Sequence, residues 1–203
     1  RAIPLFFLLT IMLSGCAGSA RMDQALIASG DKSPERIGRL VAGELLRRPE
    51  FMLYRASHWR GIHYAEACAG FGAVRLAGLL EDRELLARLA GRYARADTDT
   101  LTDLADHVDA NVYGILPFEL YKFTGDEQFF RQGIELADAQ WATPRADGLT
   151  HQTRFWIDDI WMIGALQVQA WRATGNPVYL ERAALEIDAY LEKLQQPNGL
   201  FYH

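Results

Sequence analysis

Helical-period segments nearly free of charge alternate along this chain with helical-period segments rich in it. Ile62 to Leu80 carries two charged residues in nineteen, Asp109 to Phe123 three in fifteen and Trp156 to Ala173 three in eighteen. Asp82 to Arg95 has six in fourteen, and Pro177 to Leu194 six in eighteen. A helix that is apolar nearly all round must be covered on every side, and an amphipathic helix can cover it with one face. The alternation therefore predicts helical hairpins in two layers, charge-poor helices inside and charge-rich helices outside. Leu180, Ala183, Ala184, Ile187, Leu191 and Leu194 show the one-sided stripe expected of an outer helix. Strand-like alternation of any length is missing, so the expected class is all-α.

The joints between these segments repeat. Gly114 to Asp126 and Gly164 to Asn176 both run from a glycine to an Asp or Asn that follows Thr-Gly, and Gly70 to Asp82 keeps the offset without the second glycine. Gly125 and Gly175 can take the left-handed conformation that ends a helix, while Asp126 and Asn176 can cap the next one. A second joint, Asp147-Gly148-Leu149, recurs as Asn198-Gly199-Leu200. The expectation is three inner-outer pairs preceded by one outer helix, Glu35 to Arg47. Such repeats form either an open solenoid or a closed toroid. The charge-poor inner layer favours closure.

The 203 residues are half apolar and carry a net charge of −5. That composition buries a real core and gives no basic footprint for phosphates, so nucleic acid is not an expected partner. Ahead of the hairpins, Arg1 precedes an apolar run, Ala2 to Leu13, too short to anchor across a bilayer. It closes on Leu13-Ser14-Gly15-Cys16, which resembles a bacterial lipobox. This predicts a signal peptide over 1–15, lipidation of Cys16, a tether over 16–32, and a periplasmic or cell-surface lipoprotein held to the membrane by lipid alone. The hairpin domain is expected over 33–203, truncated at its C-terminal side. With Cys16 lipidated, Cys68 is the one cysteine left and no internal disulfide forms.

Inner helices that all run the same way bring their N-termini to one mouth. Asp109 lies five residues before Gly114, and Asp158 and Asp159 lie six and five before Gly164, so neighbouring hairpins place carboxylates at matching depth. Two close carboxylates in a partly apolar cavity cannot both ionise comfortably, and one can serve as general acid, as glycoside chemistry requires. Helix capping is the competing role for each Asp. Trp156 and Trp161 flank the Asp pair, and Tyr113, Tyr64 and Trp59 sit near other inner-helix starts, where flat rings can stack on a sugar or simply fill the core. His58, His63, His107, His151 and His203 lie before or at inner helices, but none has paired-ligand spacing, so neither a metal nor another cofactor is expected. Pro117, inside an inner segment, is expected to kink it.

His107-Val108-Asp109-Ala110-Asn111-Val112-Tyr113-Gly114, Phe155-Trp156-Ile157-Asp158-Asp159-Ile160-Trp161-Met162 and Asn198-Gly199-Leu200-Phe201-Tyr202-His203 together resemble glycoside hydrolase family 105, and also the related family 88. The resemblance covers Ser33 to the C-terminus. It implies an (α/α)6 toroid, about the N-terminal half of which is present, that removes unsaturated uronic acid from oligosaccharides left by polysaccharide lyases, by hydrating an enol ether. It implies further that Asp158 is the acid and base, Asp109 the second carboxylate, Trp156 a stacking wall, and Tyr64 and His203 pocket residues, with His107 and Asp159 also near substrate. Asp159 stands where many relatives carry a small or hydroxyl residue, which leaves the choice within the pair open. Arg and Trp residues that relatives supply from their second half are not in this sequence, so the 203 residues alone are expected to be inactive.

Three readings follow. The first is a hydrolase of unsaturated galacturonyl or rhamnogalacturonyl oligosaccharides, and the second an unsaturated glucuronyl hydrolase acting on glycosaminoglycan fragments. The third is a non-catalytic, lipid-anchored helical-repeat binding module.

Overall fold

The structure, a computed structural model, describes residues 30, 32–55, 60–96 and 107–202. Helix α1, Pro34–Arg47, opens the domain, with Ser33 accepting a hydrogen bond from the Arg36 amide at its N-terminus. A short antiparallel hairpin follows, β1 (Leu53–Arg55) and β2 (Arg60–Ile62), in which Tyr54 pairs with Gly61. Three helical hairpins come next. Their inner members are α2 (Tyr64–Leu79), a broken helix formed by α4 (Val108–Asn111) and α5 (Ile115–Thr124), and α7 (Asp159–Thr174). Their outer members are α3 (Arg83–Tyr93), α6 (Glu127–Ala139) and α8 (Val178–Leu194). The class is all-α, with the layering that the charge pattern predicts. The small β-hairpin is a correction: three residues per strand are too few to show a period of two.

Each inner helix packs on its own outer partner, α5 packs on both α2 and α7, and α1 covers the free flank of α2. Glycines let neighbouring side chains pack directly onto the backbone of the inner helices. A methyl added at Gly70 would lie 2.0 Å from the Tyr93 hydroxyl oxygen and 3.2 Å from Leu116, and one at Gly114 would lie 2.6 Å from Leu166. Because Gly70 faces Leu116 and Gly78 faces Phe123, α2 and α5 run in the same direction.

The repeated joints are built from the same bonds. Gly125 and Gly175 each sit at φ +70 and donate to the residue four back, Tyr121 and Trp171, at 2.7 Å. Thr124 and Thr174 close back onto Leu120 and Ala170 at 2.8 Å, and Asp126 and Asn176 accept from Gln128 and Val178. At the first joint Glu81 takes the left-handed position itself, at φ +54, and Asp82 accepts from the Leu85 amide at 2.9 Å. The second joint repeats too, with Gly148 and Gly199 at φ +83 and +82.

Pro117 cannot donate to Tyr113, and its ring crowds that carbonyl. The inner helix accordingly tightens into a 3₁₀ turn over Val112–Gly114. Below the helix starts, a buried ion pair ties the first layer together. Arg92 donates to Glu66 at 3.0 Å and to the carbonyls of Arg48 and Glu50 at 2.6 and 3.0 Å, and Glu66 also accepts from the Met52 amide at 3.0 Å. With every charged atom bonded, the pair fixes the chain leaving α1 against α2 and α3.

Two glycines of α2 should respond oppositely to alanine. Gly70→Ala must displace Tyr93 and is expected to cost about 1–3 kcal/mol. Gly72→Ala meets nothing within 4 Å on an exposed face and is expected to gain about 0.5–1 kcal/mol from helix propensity. Urea unfolding of the two variants checks this, and equal effects would contradict the close approach of α2 to α3 and α5.

Candidate active site

The inner helices begin at one end of the domain, and histidines cap two of them. His63 Nδ1 accepts from the Ala65 amide at 3.0 Å, and His107 Nδ1 accepts from the Asp109 amide at 3.3 Å. Asp109 lies in the first turn of its helix and uses its side chain elsewhere. Asp158 holds the N-cap position of α7, yet its side chain makes no capping bond. The capping role considered for both carboxylates is thus not the one they fill.

Arg154 organises the group. Its Nη2 lies 3.0 Å from Asp109 Oδ1, and the same guanidinium grips Asp159, with Nε 3.2 and 3.3 Å from the two carboxylate oxygens. Its plane also lies over Trp156, 4.8 Å from the ring centroid. Asp159 is wholly buried and accepts in addition from the Trp156 amide at 3.3 Å and the Tyr190 hydroxyl at 3.2 Å. Burial first, and the Asp159 charge second, push the Tyr190 hydroxyl above its ordinary range, which keeps it a donor.

Phe155, between Arg154 and Trp156, has φ +61. A left-handed non-glycine residue costs about 1–2 kcal/mol. Its amide donates to the Tyr190 oxygen at 3.2 Å and its ring lies 5.0 Å from the Tyr190 ring, which holds the turn in place. The preceding loop is pinned by Glu186, which accepts from the Thr150 amide at 2.7 Å and the Thr153 hydroxyl at 3.0 and 3.1 Å. Burial pushes the Glu186 carboxyl above the usual range, opposed in part by those bonds.

Asp158 differs from its neighbour. It is half-buried, and its Oδ1, out of contact with solvent, has no hydrogen-bond partner among the described residues. Trp156 beside it is 54% exposed, enough to offer a ring face to a ligand. Across the mouth, Tyr54 stacks on His63 at 4.1 Å, with Tyr64 4.5 Å from His63 and His107 6.4 Å from Tyr54. Tyr54 also hydrogen-bonds Asp109, and its hydroxyl is driven upward by burial and then by that charge. The arrangement offers one unengaged carboxylate oxygen for proton transfer, a second carboxylate held by a guanidinium, and exposed aromatic faces.

Of the residues singled out in the sequence, Asp109, Asp158, Trp156, Tyr64 and His107 stand at this end of the inner helices. Asp159, expected near substrate, is buried, with its carboxylate bonded to Arg154, Tyr190 and the Trp156 amide. Tyr113 is fully buried beside Tyr93 and belongs to the core, while Trp161 is exposed. Cys16, His58, Trp59 and His203 lie outside the described residues. Arg154, Tyr54, Phe155 and Tyr190 were not among the sequence candidates. Arg154 alone left a signal, a cation four residues before Asp158 in an otherwise charge-poor stretch. Among the described residues no cluster of three His, Cys, Asp or Glu side chains could hold a metal ion.

The family model for Glycosyl Hydrolase Family 88 matches residues 37–203. No curated protein and no solved structure matches the chain.

Glu186 gives this region a pH signature. Its folded carboxyl holds a proton more tightly than the unfolded chain does, so its stabilising contribution is complete below the unfolded value near 4.5 and is lost as pH rises through the higher folded value. The stability of the wild type relative to Glu186→Gln is therefore expected to fall as pH rises from 4.5. Urea titrations at a series of pH values check it, and parallel pH profiles would count against an upward shift of the Glu186 carboxyl.

Proposed function

The chain belongs to glycosyl hydrolase family 88, and from that membership we propose that it removes Δ4,5-unsaturated uronic acid from lyase-generated oligosaccharides by hydrating the enol ether. Asp158 donates a proton to C4 of the sugar. Water, deprotonated by the same carboxylate, adds its oxygen to C5 and restores the proton to Asp158. The resulting hemiketal opens at the bond between C5 and the ring oxygen, and the aglycone leaves from C1. The observation that carries this assignment is the buried, unpartnered Oδ1 of Asp158 beside the exposed Trp156 ring. Asp109, anchored by Arg154 and Tyr54, orients substrate or water as the second carboxylate.

The motif resemblance to family 105 favours a galacturonyl or rhamnogalacturonyl substrate. The family 88 match supports an unsaturated glucuronyl substrate as the second reading. In keeping with the family resemblance, we take the three hairpins and α1 as part of a closed (α/α)6 toroid whose remaining hairpins complete the sugar pocket. We also take Cys16 as a lipid attachment point: labelled palmitate should enter the intact protein and be absent from Cys16→Ala, and label retained by the variant would exclude this.

Hydrolysis is followed as loss of enol-ether absorbance when the intact protein meets lyase-treated pectin or, in parallel, lyase-treated glycosaminoglycan. Asp158→Asn is expected to fold normally and lose at least about a hundredfold in turnover, the scale of a missing general acid. Asp109→Asn should also lower turnover. Asp159→Asn should act mainly on stability, because it leaves Arg154 without its buried partner, and the folded fraction should keep substantial activity. Saturated substrates, with no double bond to protonate, should be inert throughout. Near-normal turnover in Asp158→Asn would overturn the assignment.

A further inference from the structure

The inner helices end together as well as beginning together, and residues from the middle of α5 and toward the ends of α2 and α7 line an open cavity of about 480 Å³. It is lined by Arg75 of α2, Phe118, Glu119 and Lys122 of α5, and Gln169 and Arg172 of α7. Arg172 lies fourteen residues beyond Asp158, about 20 Å along α7 at the helical rise, so the cavity is separate from the carboxylate site.

Lys122 and Arg172 lie in the last turns of α5 and α7, where cations complement the macrodipole. Glu119, midway along α5, is only 2% exposed. Its Oε1 accepts no hydrogen bond, and the nearest cations, Lys122 Nζ at 3.6 Å and Arg75 Nε at 3.7 Å, stand beyond hydrogen-bond reach. A buried carboxylate oxygen without a donor is costly, and the cavity lies open to a molecule that supplies one. Arg172 forms no ion pair among the described residues, so three cations face one carboxylate.

We propose that this cavity is a second binding site, for a hydroxylated carboxylic acid of monosaccharide size. The acid group meets Arg172 and Arg75, a sugar hydroxyl donates to Glu119 Oε1, and the Phe118 side of the cavity takes the apolar sugar face. A neutral sugar lacks the anion and a simple carboxylate lacks the hydroxyl donor, so neither satisfies both halves of the site. The volume falls within the range of small-molecule pockets. The choice of a uronate as occupant rests on the function proposed above, whereas the demand for an anion with a hydroxyl does not. A site of this kind would bind the acidic sugar that the reaction releases, away from Asp158.

Calorimetric titration of the intact protein with galacturonate tests this, with galactose and acetate as probes that each carry one of the two features. In an Asp158→Asn, Trp156→Ala background, galacturonate is expected still to bind, and galactose and acetate to bind at least about tenfold more weakly, the worth of one charge-assisted hydrogen bond. Adding Arg172→Ala should weaken galacturonate by a similar factor without altering thermal unfolding, while Arg172→Lys should retain most of the affinity. Binding untouched by Arg172→Ala, or acetate binding as tightly as galacturonate, would overturn the proposal. Turnover of unsaturated oligosaccharide is measured separately: its failure with galacturonate binding intact would strike the proposed reaction and leave the second site standing.

Discussion

Three helices with almost no charge can be buried only by lying side by side under a covering layer, and the rest of the molecule follows from that constraint. The hairpin joints make every inner helix run the same way, with Gly70, Gly78 and Gly114 allowing close packing. All N-termini then meet at one end and all C-termini at the other. The parallel macrodipoles favour negative charge at the first end and positive charge at the second. Asp109, Asp158 and Asp159 stand at the first, and Lys122 and Arg172 at the second.

At the carboxylate end, Arg154 decides what each acid can do. By spanning Asp159 and Asp109 it offsets the charge of a fully buried group and fixes the position of a half-buried one. Removing Arg154 would leave the buried Asp159 charge uncompensated, at a cost of about 3–5 kcal/mol. The strained turn at Phe155 is the geometric counterpart, since it brings the side chains on either side of it, Arg154 and Trp156, face to face. With Asp159 so occupied, Asp158 is the member of the pair with an oxygen to spare.

The layers, the turns and the two carboxylates at matching depth were legible in the sequence because all three are periodic. Charge density alternates with the hairpin, the left-handed glycine and the Asp or Asn after it recur at a fixed offset, and Asp109 and Asp159 share a distance to their glycines. What escaped notice comes from outside the period. Tyr54 sits on a three-residue strand, and Tyr190 reaches Asp159 from an outer helix 31 positions away. Arg154 belongs to a connecting loop whose course depends on Glu186, 33 residues further on from Thr153. Spacing placed Tyr113 at an inner-helix start, but the 3₁₀ turn ahead of Pro117 rotates that stretch into the core. Nor could spacing alone tell that His63 and His107, not the Asp residues, cap their helices.

The repeated joints also bear on how such a chain assembles. A hairpin closed by Gly125 or Gly175 draws its contacts from adjacent segments, and local contacts form quickly because little loop entropy opposes them. Each pair can therefore build as soon as its residues are available, before any later pair exists. The carboxylate site cannot: Arg154 meets Asp109 across 45 residues, and only after the third hairpin has docked on the second. The layered scaffold is a sequence of local events, whereas the chemistry waits on a late, non-local one, and a chain halted part-way would have the scaffold's hairpins without the site.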